Sequence, residues 1–173
     1  LTSAITAIVL AAGQGSRFRA QTGQDKLLAP CRGRDGVTRP VFEQVLVNLP
    51  TCITRRWVIT SPARSEVIRL ARAYGCEVLL VDTAGMGDSI AAAVAASGPA
   101  AGWLVVLGDM PFIQAASIER VIERVEGVSV PVHAGQQGHP VAFGPELGPA
   151  LMGLTGDRGA RAVFPLAEVR EVP

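Results

Sequence analysis

The sequence predicts an α/β fold, a mostly parallel sheet with helices on both faces. Three observations predict it. Apolar runs of strand length alternate with stretches of helical spacing along the chain. Residues 103–107 are apolar throughout, which suits a strand buried on both faces. Hydrophobic residues make up 49% of the chain and aromatics only 5%, so the core is expected to be mainly Ala, Val and Leu. At 173 residues a single domain, 1–173, is expected, long enough to bury a sizeable core.

The elements follow in order. Residues 5–10 form the first strand. Arg39-Pro40-Val41-Phe42-Glu43 opens a helix running to about Asn48, with Pro near its first turn. Residues 57–60 are a short strand. Val67, Ile68, Leu70 and Ala71 sit at helical spacing and predict a helix over 65–74, with Ser65 as N-cap and Gly75 as C-cap. Residues 77–81 are a strand, and 88–97 an alanine-rich helix that ends at Gly98-Pro99. Beyond the strand at 103–107, a helix is expected over 117–126, strands over 128–132 and 140–143, and short helices over 146–152 and 158–164. Residues 169–172 are a last edge strand. Residues 22–24 and 32–38 read as polar loops. Ligands in such sheets bind beyond the carboxyl ends of the strands, which singles out 11–17, 61–62, 82–89 and 108–112.

The formal net charge is +1, so no nucleic-acid partner is implied. Cys31, Cys52 and Cys76 are odd in number and widely spaced, with no Cys-x-x-Cys pattern. They read as free thiols in a reducing, cytoplasmic setting. No Lys or Arg precedes Arg17, so the apolar start reads as a first strand and not a signal peptide. No apolar run reaches membrane-spanning length.

The strand at 5–10 runs into Ala11-Ala12-Gly13-Gln14-Gly15-Ser16-Arg17, and Lys26 follows about nine residues after Arg17. A strand, then small residues, then spaced cations suits backbone N–H groups and positive side chains around phosphates. A nucleoside triphosphate is the first ligand to consider, with a plain strand-to-helix turn as the alternative. A P-loop is excluded, because Lys26 is too far from Gly15 and Leu27 follows it. A dinucleotide fingerprint is incomplete, because Phe18 stands where its third glycine belongs.

Asp109, in Leu107-Gly108-Asp109-Met110-Pro111, emerges at the end of the most apolar strand. A carboxylate there can hold Mg²⁺ together with phosphate oxygens, or make a turn before Pro111. Asp157, in Thr155-Gly156-Asp157-Arg158, is either a second metal ligand or the N-cap of the helix at 158. Gly85-Met86-Gly87-Asp88-Ser89 puts glycines at a helix N-terminus whose free N–H groups can hold a base edge or ribose. His139, in Gly138-His139-Pro140, is a structural residue or a catalyst, with no metal role. Arg32, Arg34 and Arg39 read as a solvated loop that can also touch a second anionic substrate.

Together these residues resemble the MobA-like nucleotidyltransferase superfamily, and within it the molybdenum cofactor cytidylyltransferase family. The resemblance runs through Leu10-Ala11-Ala12-Gly13 to Arg17, Asp25-Lys26-Leu27-Leu28-Ala29-Pro30, Gly85 with Asp88-Ser89-Ile90, and Leu107 to Pro111. It continues through Gly138-His139-Pro140-Val141-Ala142-Phe143 and Gly156-Asp157-Arg158-Gly159-Ala160-Arg161, the more specific pair. It implies a Rossmann-like three-layer sandwich of the nucleotide-diphospho-sugar transferase type. It implies a nucleotide site at Leu10, Ala11, Ala12, Gly13, Gly15, Ser16, Arg17, Lys26, Gly87 and Ser89. Lys26, Arg17 and Asp109 would be catalytic, Asp109 and Asp157 would hold Mg²⁺, and His139 and Arg161 would lie on the acceptor side.

The family's cytidylyl-transferring members read Leu-Ala-Ala-Gly in the first loop, as here, where guanylyl-transferring ones read Leu-Ala-Gly-Gly. The resemblance therefore implies CTP as donor and a molybdopterin-type phosphorylated acceptor, with a molybdoenzyme or its chaperone as a downstream partner. The chain departs from the family at Arg19, where glycine is usual, and in a longer, arginine-bearing stretch between Pro30 and Val41. Rival readings are a guanylyltransferase or cytidylyltransferase with another acceptor, such as a sugar phosphate, a non-catalytic molybdopterin carrier, and an NAD(P)-dependent oxidoreductase.

Overall fold

The computed structural model describes residues 4–12, 26–82 and 85–173. In chain order, β1 (Ile5–Ala11) is followed by β2 (Pro30–Arg32), β3 (Thr38–Pro40) and α1 (Val41–Asn48). Next come β4 (Arg55–Thr60), α2 (Ser65–Ala73), β5 (Glu77–Leu80), α3 (Met86–Ser97) and β6 (Gly102–Leu107). The last part holds α4 (Ala115–Ile122), β7 (Val128–His133), β8 (Gln136–Gln137), β9 (Val141–Phe143), α5 (Gly148–Met152) and β10 (Val169–Val172).

The main sheet has the order β10-β7-β9-β6-β1-β4-β5, with β8 paired to β7 off that path. Strands β6, β1, β4 and β5 run parallel. Among the described residues, only β9 and the two-residue β8 pair antiparallel to their neighbours in it. The expected mostly parallel sheet is therefore present, and β10 is the edge strand expected at 169–172.

Both faces of β1 and β6 are covered, and the side-chain period of two divides the core. Ala7, Val9, Leu104 and Val106 pack with Phe42, Leu46, Val67, Leu70 and Ile118 from α1, α2 and α4. Ile8 and Val105 face the other way, onto Ile90, Val94, Leu151 and Val163. This is the three-layer arrangement. It explains why 103–107 carries no polar residue, since that strand has no wet face.

Several expected boundaries move. The helix expected from Arg39 begins at Val41, because 38–40 is spent as β3, antiparallel to β2. The polar loop at 32–38 is thus the tip of a hairpin. Ser65 is the first residue of α2 rather than its cap, and the N-cap Arg64 makes no side-chain cap bond. Gly75 does terminate that helix, with φ +76°. The helix expected over 158–164 is a 3-10 turn, Ala160–Leu166, that contains Pro165. The helix expected over 146–152 splits into a 3-10 turn at Pro145–Leu147 and α5. Among the described residues, no helix is long and apolar enough to cross a membrane. The three cysteines are free, with Cys31 and Cys76 buried and Cys52 exposed.

Candidate active site

The carboxyl ends of β1 and β6 lie side by side, with Leu10 opposite Leu107. Just beyond, the Gly108 N–H donates to the Leu10 carbonyl at 2.9 Å. A Cβ at Gly108 would stand 2.9 Å from that same oxygen and 3.4 Å from Phe42, so the glycine permits the approach. On the other flank the buried Thr60 hydroxyl donates to the Ala11 carbonyl at 2.9 Å. Leu10, Ala11 and buried Ala12 therefore end beside the strand end that carries Asp109. Gly13, Gly15, Ser16 and Arg17, four of the expected nucleotide contacts, lie outside the described residues.

Lys26 opens a 3-10 turn, Lys26–Leu28, anchored by buried Leu27. Its Nζ stands 3.4 Å from Asp109 Oδ2, across 83 residues of sequence. The two side chains are 49% and 41% exposed. An ion pair this open adds at most about 1 kcal/mol to stability. Its weight lies in putting an exposed cation and an open carboxylate at one strand end.

His139 lies just before β9 and is joined to Pro140 by a cis bond. Burial, and secondarily the Arg161 charge, hold its imidazole below the usual range, with Asp109 pulling the opposite way. His139 is thus within electrostatic reach of both Asp109 and Arg161. The Arg161 guanidinium donates to the Gln137 carbonyl at 3.1 Å and lies 6.0 Å from the Phe164 ring centre.

The N-terminus of α3 meets the 155–158 loop. The Gly156 carbonyl accepts from Gly87 N–H at 2.8 Å and Asp88 N–H at 3.3 Å, while Asp88 Oδ1 accepts from Gly156 N–H at 3.0 Å. The expectation of free N–H groups at this helix end therefore fails at Gly87 and Asp88, because the loop itself caps them. Cβ atoms at Gly85 and Gly87 would come within 2.5 Å and 2.4 Å of the carbonyls of Gly156 and Arg158. These glycines admit the loop that carries Asp157.

Ser89 is 2% exposed, and its hydroxyl has no hydrogen-bond partner among the described residues. Asp157 is exposed. It is not the helix cap considered above, since Gly159 precedes the 3-10 turn and no side chain caps it. Gly87→Ala, ordinarily favourable inside a helix, is expected to lower stability by about 1–3 kcal/mol by overpacking. Thermal denaturation checks this, and an unchanged or raised Tm would contradict it.

A hydrogen-bond chain that the sequence did not suggest reaches the Asp109 loop from the hairpin. Arg39 grips Asp35 with two bonds, of 2.9 and 3.2 Å, and donates to Gln44 Oε1 at 3.2 Å. Gln44 donates to Asn48 Oδ1 at 2.9 Å, and Asn48 donates to the Pro111 carbonyl at 2.6 Å. Arg39 is therefore tied down, not solvated as expected. Its hydrogen bond, aided by the Val37 N–H, holds the Asp35 carboxyl below its usual range. The only local signal was Gln44 and Asn48 at i, i+4 on one helix face. Asn48→Ala should release the loop two residues past Asp109 and lower kcat roughly 10-fold, short of the ~10²-fold that a 1 Å misplacement costs. Steady-state kinetics checks this, with Tm as the control for folding.

The model of the MobA-like NTP transferase domain matches residues 7–171. The crystal structure of Rv0371c from Mycobacterium tuberculosis H37Rv superposes with a TM-score of 0.77 at 26% identity, over 99% of this chain and 88% of that one. Rv0371c has also been solved in complex with manganese (TM-score 0.76, 25% identity, 99% and 88% covered). A nucleotidyl transferase from Methanothermobacter thermautotroptrophicus has a TM-score of 0.79 at 25% identity, over 98% and 87%. The bifunctional protein GlmU of Maricaulis maris is 35% identical over 143 residues, which is 80% of this chain but 30% of GlmU. The chain spans under a third of the length of the curated relatives it matches. With a family model covering residues 7–171 and a fold shared with solved nucleotidyltransferases, the chain belongs to the MobA-like NTP transferase domain family.

Proposed function

We propose that the chain transfers CMP from CTP to the terminal phosphate of a molybdenum-bound molybdopterin, forming molybdopterin cytosine dinucleotide and releasing pyrophosphate. The observation that carries the chemistry is the Lys26–Asp109 pair, 3.4 Å apart beside the ends of β1 and β6. Ala12 in the first loop supports the base.

An acceptor phosphate oxygen attacks the α-phosphorus of CTP. The new P–O bond forms as the bond to the β-phosphate oxygen breaks, and pyrophosphate leaves with that electron pair. The acceptor phosphate is already ionised near neutral pH, its second pKa being about 6, so no general base is needed. What the reaction needs is positioning and charge neutralisation. Lys26 places its ammonium against the phosphoryl oxygens, and Arg17 acts on the triphosphate. His139, kept neutral by burial, offers a hydrogen bond on the acceptor side without adding charge.

The donor set suits a hard cation. Asp109 presents an open carboxylate, Asp157 a second exposed one, and Mg²⁺ is held by one or two carboxylates plus phosphate oxygens and water. Such an ion, held by Asp109 and Asp157, would supply Lewis-acid neutralisation of the triphosphate. The manganese complex of Rv0371c supports a divalent metal.

The base assignment is tested by competition. Wild type is expected to prefer CTP over GTP, and Ala12→Gly to relax the preference. One methyl discriminates by about 1–3 kcal/mol, roughly 10- to 200-fold in relative kcat/KM, so full inversion is not expected. A wild-type preference for GTP would overturn the cytidylyl assignment.

A further inference from the structure

The first turn of α3 and the loop at 155–158 hold each other by reciprocal hydrogen bonds. Gly87 N–H and Asp88 N–H donate to the Gly156 carbonyl at 2.8 and 3.3 Å, and Gly156 N–H donates to Asp88 Oδ1 at 3.0 Å. Both backbone polar groups of Gly156 are therefore spent on one turn of helix. Gly156 has φ +58°, a left-handed conformation that these bonds hold in place.

The next peptide carries the constraint to Asp157. The Gly156 carbonyl and the Asp157 N–H belong to one planar unit. Fixing that carbonyl fixes the direction in which Asp157 leaves the loop. The helix N–H groups hold only the carbonyl half of Gly156. Asp88 holds the other half, with a half-buried carboxylate in the first turn of α3, where the positive end of the helix dipole favours an acid. The helix is itself a fixed reference. Its Ile90 and Val94 are buried in the core with Ile8 of β1 and Val105 of β6, the strands whose ends carry the first loop and Asp109. Through α3, the loop that bears Asp157 is tied to the strands that bear Asp109.

We infer that Asp88 is a positioning residue. Through Gly156 it sets where the Asp157 carboxylate stands, and so how tightly the site holds a divalent cation. The inference rests on the proposed role of Asp157 as a metal ligand. Groups standing behind a metal ligand govern metal affinity or activity by about 10- to 100-fold. The role needs an oxygen acceptor and not a charge, because the Gly156 N–H can donate equally to an amide oxygen.

The test titrates Mn²⁺ alone into wild type, Asp88→Ala, Asp88→Asn and Asp157→Asn, with bound metal read by electron paramagnetic resonance and Tm measured on the same samples. Asp88→Ala is expected to weaken Mn²⁺ binding about tenfold. Asp88→Asn should stay within about threefold of wild type, because its Oδ1 still accepts from Gly156. All three variants should fold, since alanine suits a helix and the exposed Gly156 N–H can turn to water. An Asp88→Ala protein with a lowered Tm and unchanged Mn²⁺ affinity would make Asp88 a helix cap only. An Asp88→Asn protein as weak as Asp88→Ala would make the charge itself the requirement. Either result overturns the inference. Undiminished Mn²⁺ affinity in Asp157→Asn, or no Mn²⁺ binding by wild type, would strike the metal role of Asp157 and this inference with it. Loss in Asp157→Asn without loss in Asp88→Ala strikes this inference alone, and a base preference other than CTP touches neither.

Discussion

Asp109→Asn is expected to lower turnover by about 10²- to 10³-fold, on the scale of removing one preorganised electrostatic contact from an active site. A neutral amide is a poor ligand for a hard cation, so the loss should be steepest at limiting Mg²⁺. The fold should survive. Asp109 is 41% exposed and its ion pair with Lys26 is open to water, so losing it costs the fold at most about 1 kcal/mol. Turnover against Mg²⁺ concentration, with Tm measured on the same samples, checks both halves. Near-normal turnover at limiting Mg²⁺ would leave Asp109 as only a turn residue before Pro111.

Lys26→Ala is expected to lower kcat by about 10²-fold while raising the KM for CTP much less, because the ammonium meets charge that develops during transfer. Its position favours that role. The Lys26–Leu28 turn is pinned by buried Leu27, which sets the ammonium 3.4 Å from Asp109 Oδ2 instead of leaving it on a free loop. Steady-state kinetics separates the two outcomes. An unchanged kcat with a raised KM would place Lys26 in ground-state binding.

The order of elements was legible because apolar runs report burial directly. The strand at 103–107 is apolar because β6 is sandwiched between β1 and β9, with helices on both faces. The β2–β3 hairpin was not legible. Its strands are three residues each, too short for an alternation of apolar and polar residues to show in the sequence. The 3-10 turn at Ala160–Leu166 read as a helix because Pro165 falls late in an otherwise apolar run.

At the site, Lys26 and Asp109 were each suspected, and the structure adds that they meet. Gly87 was singled out for a reason that the structure replaces. It makes room for the 155–158 loop, whose Gly156 carbonyl caps the helix that was expected to be open. Asn48 could not be found from sequence, since its partner is a backbone carbonyl 63 residues away and any residue supplies a carbonyl. A cavity lined by Phe112 and His139 was invisible for a related reason. It is assembled from the loop after β6, α4, β7, β8, the 138–140 stretch and β10, which are far apart in sequence.

We propose cytidylyl transfer to a molybdopterin phosphate. Pyrophosphate release, measured across the four ribonucleoside triphosphates with and without molybdenum-loaded molybdopterin, tests it most directly. Release is expected to require both CTP and the acceptor, with GTP, ATP and UTP far slower. Release that is indifferent to the acceptor, or fastest with another triphosphate, would contradict it.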